Sequence, residues 1–197
     1  MPPQTFIFFG RSGSGKGTQA RLLLEYLKKE DSARSTLYLE TGQELREFSK
    51  TKSYTARLTK DTLSSGALLP GFVPIWLWTD YLIKHFSGQE HLIFDGISRR
   101  SIEAEVLDSA LEFYKREAVH IILINISKEW ASARLLERGR SDDNKDDIEK
   151  RLNWYDDSVT ESLKFFRNNK KYIFCDIDGE QEIEKVYKDI VAGLSIK

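Results

Sequence analysis

The stretch Phe6-Ile7-Phe8-Phe9-Gly10-Arg11-Ser12-Gly13-Ser14-Gly15-Lys16-Gly17-Thr18-Gln19 reads as a buried strand, a glycine-rich turn and the opening of a helix. Gly10 followed by Gly15-Lys16 has the spacing of a phosphate-binding loop. Glycines at 10, 13 and 15 tolerate positive φ, so successive backbone N–H groups can turn inward around phosphate oxygens. A helix starting near Lys16 adds the positive end of its dipole at the same spot. Lys16 then reaches the β- and γ-phosphates as a mobile charge. After the lysine stands Gly17, where the motif has Ser or Thr, and Thr18 follows. An ordinary turn would share these glycines. The apolar strand before them and the Ala20, Leu23, Leu24, Leu27 helical face behind them supply the context of a phosphate loop.

The rest of the chain must build a body for that loop. Its 197 residues allow one well-filled core with small inserted lobes. With 40% hydrophobic and 31% charged residues the composition is that of a globular protein. A net charge of −1 gives no general attraction for nucleic acid or anionic membrane, so an anion site has to be assembled locally. A single cysteine, Cys175, rules out an internal disulfide and a four-cysteine zinc site. No apolar run approaches the ~20 residues of a membrane span, and the N-terminus lacks a signal-peptide layout. A cytoplasmic protein is the expectation.

Five apolar runs, at 5–9, 36–39, 92–94, 119–126 and 172–177, alternate with helical patterns. Such runs suit strands covered on both faces, which predicts an α/β fold with a five-stranded parallel sheet between helices. Ile148, Leu152, Tyr155, Val159, Leu163 and Phe166, spaced by threes and fours, mark the clearest helix. Residues 41–86 are too long for one crossover helix, and Gly66, Pro70, Gly71 and Pro74 break them late. Two or three short helices forming an inserted lobe are expected there. A polar segment, 139–147, lies between two helices. The core is then 1–40, 87–138 and 148–197.

Arginine placement carries the second signal. Arg134 and Arg138 sit four apart on one helix and share a face. Arg140 follows after one glycine, and Arg151 lies on the next helix. Anions among these groups would relieve their repulsion, as would the neighbouring Asp142, Asp143, Asp146 and Asp147 in a plain surface network. Arg46 stands one turn into the lobe, and Arg99 and Arg100 follow the third strand. Asp95, at that strand's carboxyl end, occupies the place where open α/β sheets form their ligand crevice.

In order along the chain, Gly13-Ser14-Gly15-Lys16-Gly17-Thr18-Gln19, Thr41-Gly42 with Leu45-Arg46, Asp95-Gly96 with Arg99, Arg140 with Asp142-Asp143, and Arg151-Leu152 with Tyr155 resemble the adenylate kinase family of nucleoside monophosphate kinases, in its short-lid form. In that family glycine and then threonine follow the loop lysine. The resemblance implies reversible phosphoryl transfer from ATP to AMP by a magnesium-dependent monomer. It implies that Gly13, Ser14, Gly15, Lys16, Gly17 and Thr18 cradle ATP. Arg134 would stack on the donor adenine, Arg138 would meet its phosphates and Glu180 would brush the donor base. For AMP it implies Arg46 and Arg99 on the α-phosphate. Thr41, Ala67, Leu68, Leu69, Gly96, Ile97 and Ser98 would form the wall. Arg140 and Arg151 would close over the group in transfer. Mg²⁺ would be held through phosphates and waters, with Asp95 behind them and no direct protein ligand.

Three departures bear on the acceptor. The family's Asp-Gly-Phe-Pro-Arg appears as Asp95-Gly96-Ile97-Ser98-Arg99, Gln43 replaces an aspartate, and Glu103 replaces the glutamine that reads adenine. An ionised carboxylate only accepts hydrogen bonds, which suits a base edge presenting donors, as guanine does. Thr41 matches the adenylate form. GMP, CMP or UMP as acceptor therefore stays open beside AMP, as does a nucleotide-binding protein without turnover. Glu103 as a solvated helix residue is the plainest alternative. His85, His91 and His120, the tryptophans 76, 78, 130 and 154, and Cys175 read as structural groups.

Overall fold

The structure, a computed structural model, describes residues 2–139 and 144–194. Arg140, Asp142 and Asp143 lie outside the described residues. Five strands form one parallel sheet: β1 (Thr5–Phe9), β2 (Thr36–Glu40), β3 (His91–Asp95), β4 (Val119–Asn125) and β5 (Tyr172–Asp178). Their order is β2-β3-β1-β4-β5, so β1 lies centrally and the chain runs outward to either side of it.

The pleat of β1 divides its side chains between two layers. Phe6 and Phe8 pack with Ala20, Leu23 and Leu27 of α1 (Lys16–Glu30) and with Val186, Ile190 and Leu194 of α9 (Ile183–Leu194). Ile7 and Phe9 face the other layer. There Leu107 and Leu111 of α5 (Ser101–Phe113), Trp78 and Leu82 of α4 (Phe72–His85) and Phe166 of α8 (Thr160–Arg167) close the core. Each such fully buried side chain contributes about 1.5–3 kcal/mol relative to exposure. The sheet is thus the rigid part against which the site is set.

Between β2 and β3 run three helices: α2 (Thr41–Phe48), α3 (Tyr54–Ser64) and α4. Ser53 starts α3, its Oγ accepting from the Ala56 N–H at 3.0 Å. Pro74 does not break the segment as its sequence position suggests. It lies in the first turn of the 14-residue α4, where a missing N–H costs no hydrogen bond.

After α6 (Lys128–Arg138), α7 (Lys145–Trp154) passes into α8 through a π-turn at Tyr155–Val159. The apolar face from Ile148 to Phe166 stays buried through that turn. The expected single helix is therefore continuous in packing and widened by one turn of i→i+5 bonding.

Candidate active site

The carboxyl ends of the strands supply the floor. Glu40 and Asp95 are register partners at the tips of β2 and β3, and Phe8 of β1 pairs with Asp95. Two carboxylates thus stand side by side where the glycine loop leaves β1. Above them opens a cavity of about 380 Å³, a size suited to small-molecule ligands.

The loop from Ser12 to Thr18 forms one wall, with φ of +86° and +85° at Gly13 and Gly15, and Gly10, where the chain leaves β1, has φ of +148°. Lys16 folds back over the loop and donates to the carbonyls of Gly10 (2.7 Å) and Arg11 (2.8 Å). Burial lowers its pKa to about 8, with Asp95 opposing the shift and Arg99 and Arg138 adding to it. Burial also pushes the Asp95 carboxyl above the usual range, against the pull of Lys16 and with the help of Glu40.

Arginines from separate elements meet across this space: Arg46 from α2, Arg99 after β3, Arg134 and Arg138 from α6, and Arg151 from α7. Arg99 is held at three points. Its Nε donates to the Gly96 carbonyl at 2.9 Å, its backbone N–H donates to Glu103 Oε2 at 3.0 Å, and its guanidinium lies 5.6 Å over the Trp154 ring. Burial makes Arg99 easier to deprotonate than a solvated arginine, while Glu103 and Asp95 hold its charge. Arg134 lies 5.7 Å over the Trp130 ring, and Arg46 reaches Glu40 at 3.4 Å.

Other residues singled out in the sequence stand behind the wall. Ala67 faces the cavity, whereas the Leu68 and Leu69 carbonyls are pinned by Arg100 at 3.3 and 3.1 Å. Thr41 is 1% exposed and its Oγ1 has no protein partner among the described residues. Gly96 shapes the turn through its carbonyl, while Ile97 and Ser98 are buried in the body. Glu103 is 1% exposed, which removes the solvated-helix alternative, and its Oε1 has no protein partner among the described residues. Burial pushes its carboxyl up, opposed by the Arg99 N–H and by the Arg99 and Arg100 charges. The Glu180 carboxylate accepts from the Ser127 N–H at 2.6 Å, and its neighbours Gly179 and Gln181 line the cavity.

Several participants escaped the sequence reading. Glu40 extends β2 by one residue beyond its apolar run and holds Arg21 at 2.7 Å. Trp154, read as packing, lines the cavity, backs Arg99 and donates from Nε1 to the Gly66 carbonyl at 3.1 Å. Its place three residues after Arg151 on one helix face was the available signal. Arg11 braces the loop from outside: it pairs with Asp156 at 2.5 Å, donates to the Ile126 carbonyl at 2.9 Å and lies 5.1 Å over Tyr155. Among the described residues no three His, Cys, Asp or Glu side chains converge as a metal cage.

Comparison with known proteins agrees with this geometry. The family model described as adenylate kinase matches residues 8–171. An adenylate kinase of Azobacteroides pseudotrichonymphae is 30% identical over 188 residues, covering 93% of each chain. One from Phocaeicola vulgatus is 29% identical over 192 residues, covering 95% of this chain and 96% of its own. One from Prochlorococcus marinus is 30% identical over 189 residues, covering 96% and 97%.

Proposed function

Since the chain belongs to the adenylate kinase family, we propose that it moves the terminal phosphoryl group of ATP reversibly onto AMP, giving two ADP. The observation that carries this is the convergence of a phosphate loop and arginines from four other elements on one cavity. A protein that only bound nucleotide would need cations around one phosphate tail. Here the cations come from both sides of the one cavity, the phosphate loop on one and Arg46, Arg99 and Arg151 from other elements, which supports a site for two phosphate tails.

An acceptor phosphate oxygen is already a nucleophile at neutral pH, so no general base is required. The oxygen forms its bond to Pγ as the bond from Pγ to the β-bridging oxygen breaks, and ADP leaves as the second product. Catalysis then rests on alignment and on fixed charge around the moving group. Lys16, Arg138, Arg151 and Arg140 supply that charge, and Arg99 with Arg46 holds the acceptor's α-phosphate in bidentate geometry. Residues 41–86 serve as the monophosphate-binding lobe and 139–147 as a short lid; together they exclude water that would otherwise hydrolyse ATP. We read the protein as a cytoplasmic monomer, as the family implies.

Mg²⁺ fits the residues present. Asp95 and Glu40 bring carboxylate oxygens beside Gly17, with Asp95 Oδ2 3.2 Å, Arg21 Nη1 3.8 Å and Glu40 Oε2 3.9 Å from where a Cβ at that glycine would stand. Bound with ATP, the ion would supply charge neutralisation on the phosphates, and Asp95 would orient its water shell.

Glu103 bears on the acceptor base. Its burial pushes the carboxyl pKa up, opposed by the Arg99 N–H and the Arg99 and Arg100 charges, and leaves only Oε1 without a protein partner among the described residues. The preference for AMP rests on the family and on Thr41, and Glu103 Oε1 is the atom positioned to meet the acceptor base. A coupled assay with AMP, GMP, CMP and UMP tests this reading. AMP is expected as the preferred acceptor, and Lys16→Ala or Arg99→Ala to lower turnover by roughly two orders of magnitude or more. Absence of turnover with AMP, or unchanged rates in both variants, would overturn it.

A further inference from the structure

We propose that Ser162 is a positioning residue for Arg99: its hydroxyl locks the left-handed turn at Ser98. The inference rests on the assignment of Arg99 to the acceptor phosphate.

Ser98 has φ of +59°, a left-handed conformation costing a residue with a Cβ about 1–2 kcal/mol. Among the described residues only one other non-glycine, Lys115, has positive φ. Lys115 sits just past the end of α5, where helices commonly take that conformation. Ser98 has no such excuse. It lies in the short turn between β3 and α5 and is fully buried, so the surroundings must hold it.

What holds it is Ser162, also fully buried. Ser162 Oγ donates to the Ser98 carbonyl at 2.6 Å, and the two Oγ atoms are 2.9 Å apart. A hydroxyl has one proton. Ser162 spends its own on the carbonyl, so Ser98 must be the donor across the second contact. The two serines thus close a ring of two hydrogen bonds with no solvent to compete. Proline could not occupy this turn as it stands, because its ring fixes φ near −65°.

The next residue is Arg99, whose backbone N–H and Nε are held by Glu103 and Gly96. A rotation at Ser98 would swing both anchors and move the guanidinium off Trp154. The other partner lies on α8, joined through the π-turn to α7, which carries Arg151 and Trp154. The latch therefore sets the acceptor arginine against the same continuous helix that presents Arg151.

The test compares Ser162→Ala, Ser98→Gly and the double variant, with KM measured for each substrate and AMP binding by calorimetry. Ser162→Ala should raise the acceptor KM and Kd roughly tenfold, about 1.4 kcal/mol, while the ATP KM stays within about twofold. Ser98→Gly keeps the Ser162 bond to the carbonyl and removes both the Ser98 hydroxyl and the strain, so it is the reference against which the double variant is read. Adding Ser98→Gly to Ser162→Ala should recover part of the acceptor affinity, because glycine reaches the left-handed turn unaided. If the serines merely filled space, the double variant would be worse than either single one. That result would overturn the proposal, as would a Ser162→Ala enzyme with unchanged acceptor KM or with both KM values raised alike. If Ser162→Ala does not fold, Ser162→Cys, which leaves no cavity and weakens the donor, is read by the same criteria. Wild-type enzyme that turned over no nucleoside monophosphate would instead refute the reading of the site, and the assay shows this before any variant is made.

Discussion

Lys16 shows how the site prepares for a polyanion. Its ammonium donates to the Gly10 and Arg11 carbonyls and to Ser14 Oγ at 3.5 Å, with no anion among these partners, and burial brings its pKa to about 8. A triphosphate would replace those carbonyls with full negative charge and restore the ordinary affinity for a proton. The sign follows: free enzyme binds fewer protons at Lys16 than complex does, in the window above about pH 8 and below the restored value. ATP binding at about pH 9 should therefore take up roughly half a proton or more. Calorimetry in two buffers of different ionisation heat measures this directly. Lys16→Arg, whose side chain is never neutral, should show no uptake. Equal uptake in both proteins would locate the titrating group elsewhere.

At the level of elements, the decisive contact joins the end of α3 to α7. Gly66 has φ of +66°, and a Cβ there would stand 2.7 Å from the Asp147 carbonyl oxygen. Trp154 Nε1 holds the Gly66 carbonyl from the other end of α7, and Lys150 Nζ reaches the Ser65 carbonyl at 3.4 Å. Gly66→Ala must therefore push α7, and Arg151 with it, away from the three-helix segment. We expect kcat/KM to fall about tenfold or more while Tm drops by roughly 2–8 °C, the left-handed alanine accounting for about 1–2 kcal/mol. An enzyme with that Tm loss and full activity would show the contact to be idle. What the sequence made legible here was periodicity and charge: the five strands, the shared face of Arg134 and Arg138, Asp95 at a strand tip. The π-turn was not legible, because threes and fours of apolar spacing survive one widened turn. Nor was the Ser98–Ser162 pair, since two serines 64 residues apart leave no pattern. For Glu103 the sequence left a base-reading carboxylate and a solvated one side by side, and only the turn that buries it removes the second.

The whole molecule reconciles a net charge of −1 with a strongly cationic chamber. The doubly wound sheet packs both faces in apolar side chains and leaves its strand tips, the phosphate loop and the covering helices to bring arginines together from positions 46 to 151. Such a chamber holds like charges close together, so an anion spanning it should stabilise the entire fold and not only the loop. An inert mimic joining both nucleotides through their phosphates is the fitting probe. At about a hundredfold its Kd it adds about 2.7 kcal/mol, which for a chain of this size raises Tm by roughly 5–10 °C. At equal concentration its shift should exceed that of ATP or AMP, because tethering makes the second half bind at high effective concentration. In Arg99→Ala the acceptor half loses its clamp, so the mimic's shift should fall to that of ATP alone. If the mimic did no better than ATP in the wild type, the acceptor arginines would not be serving the same cavity as the phosphate loop, and a single chamber for both nucleotides would have to be given up.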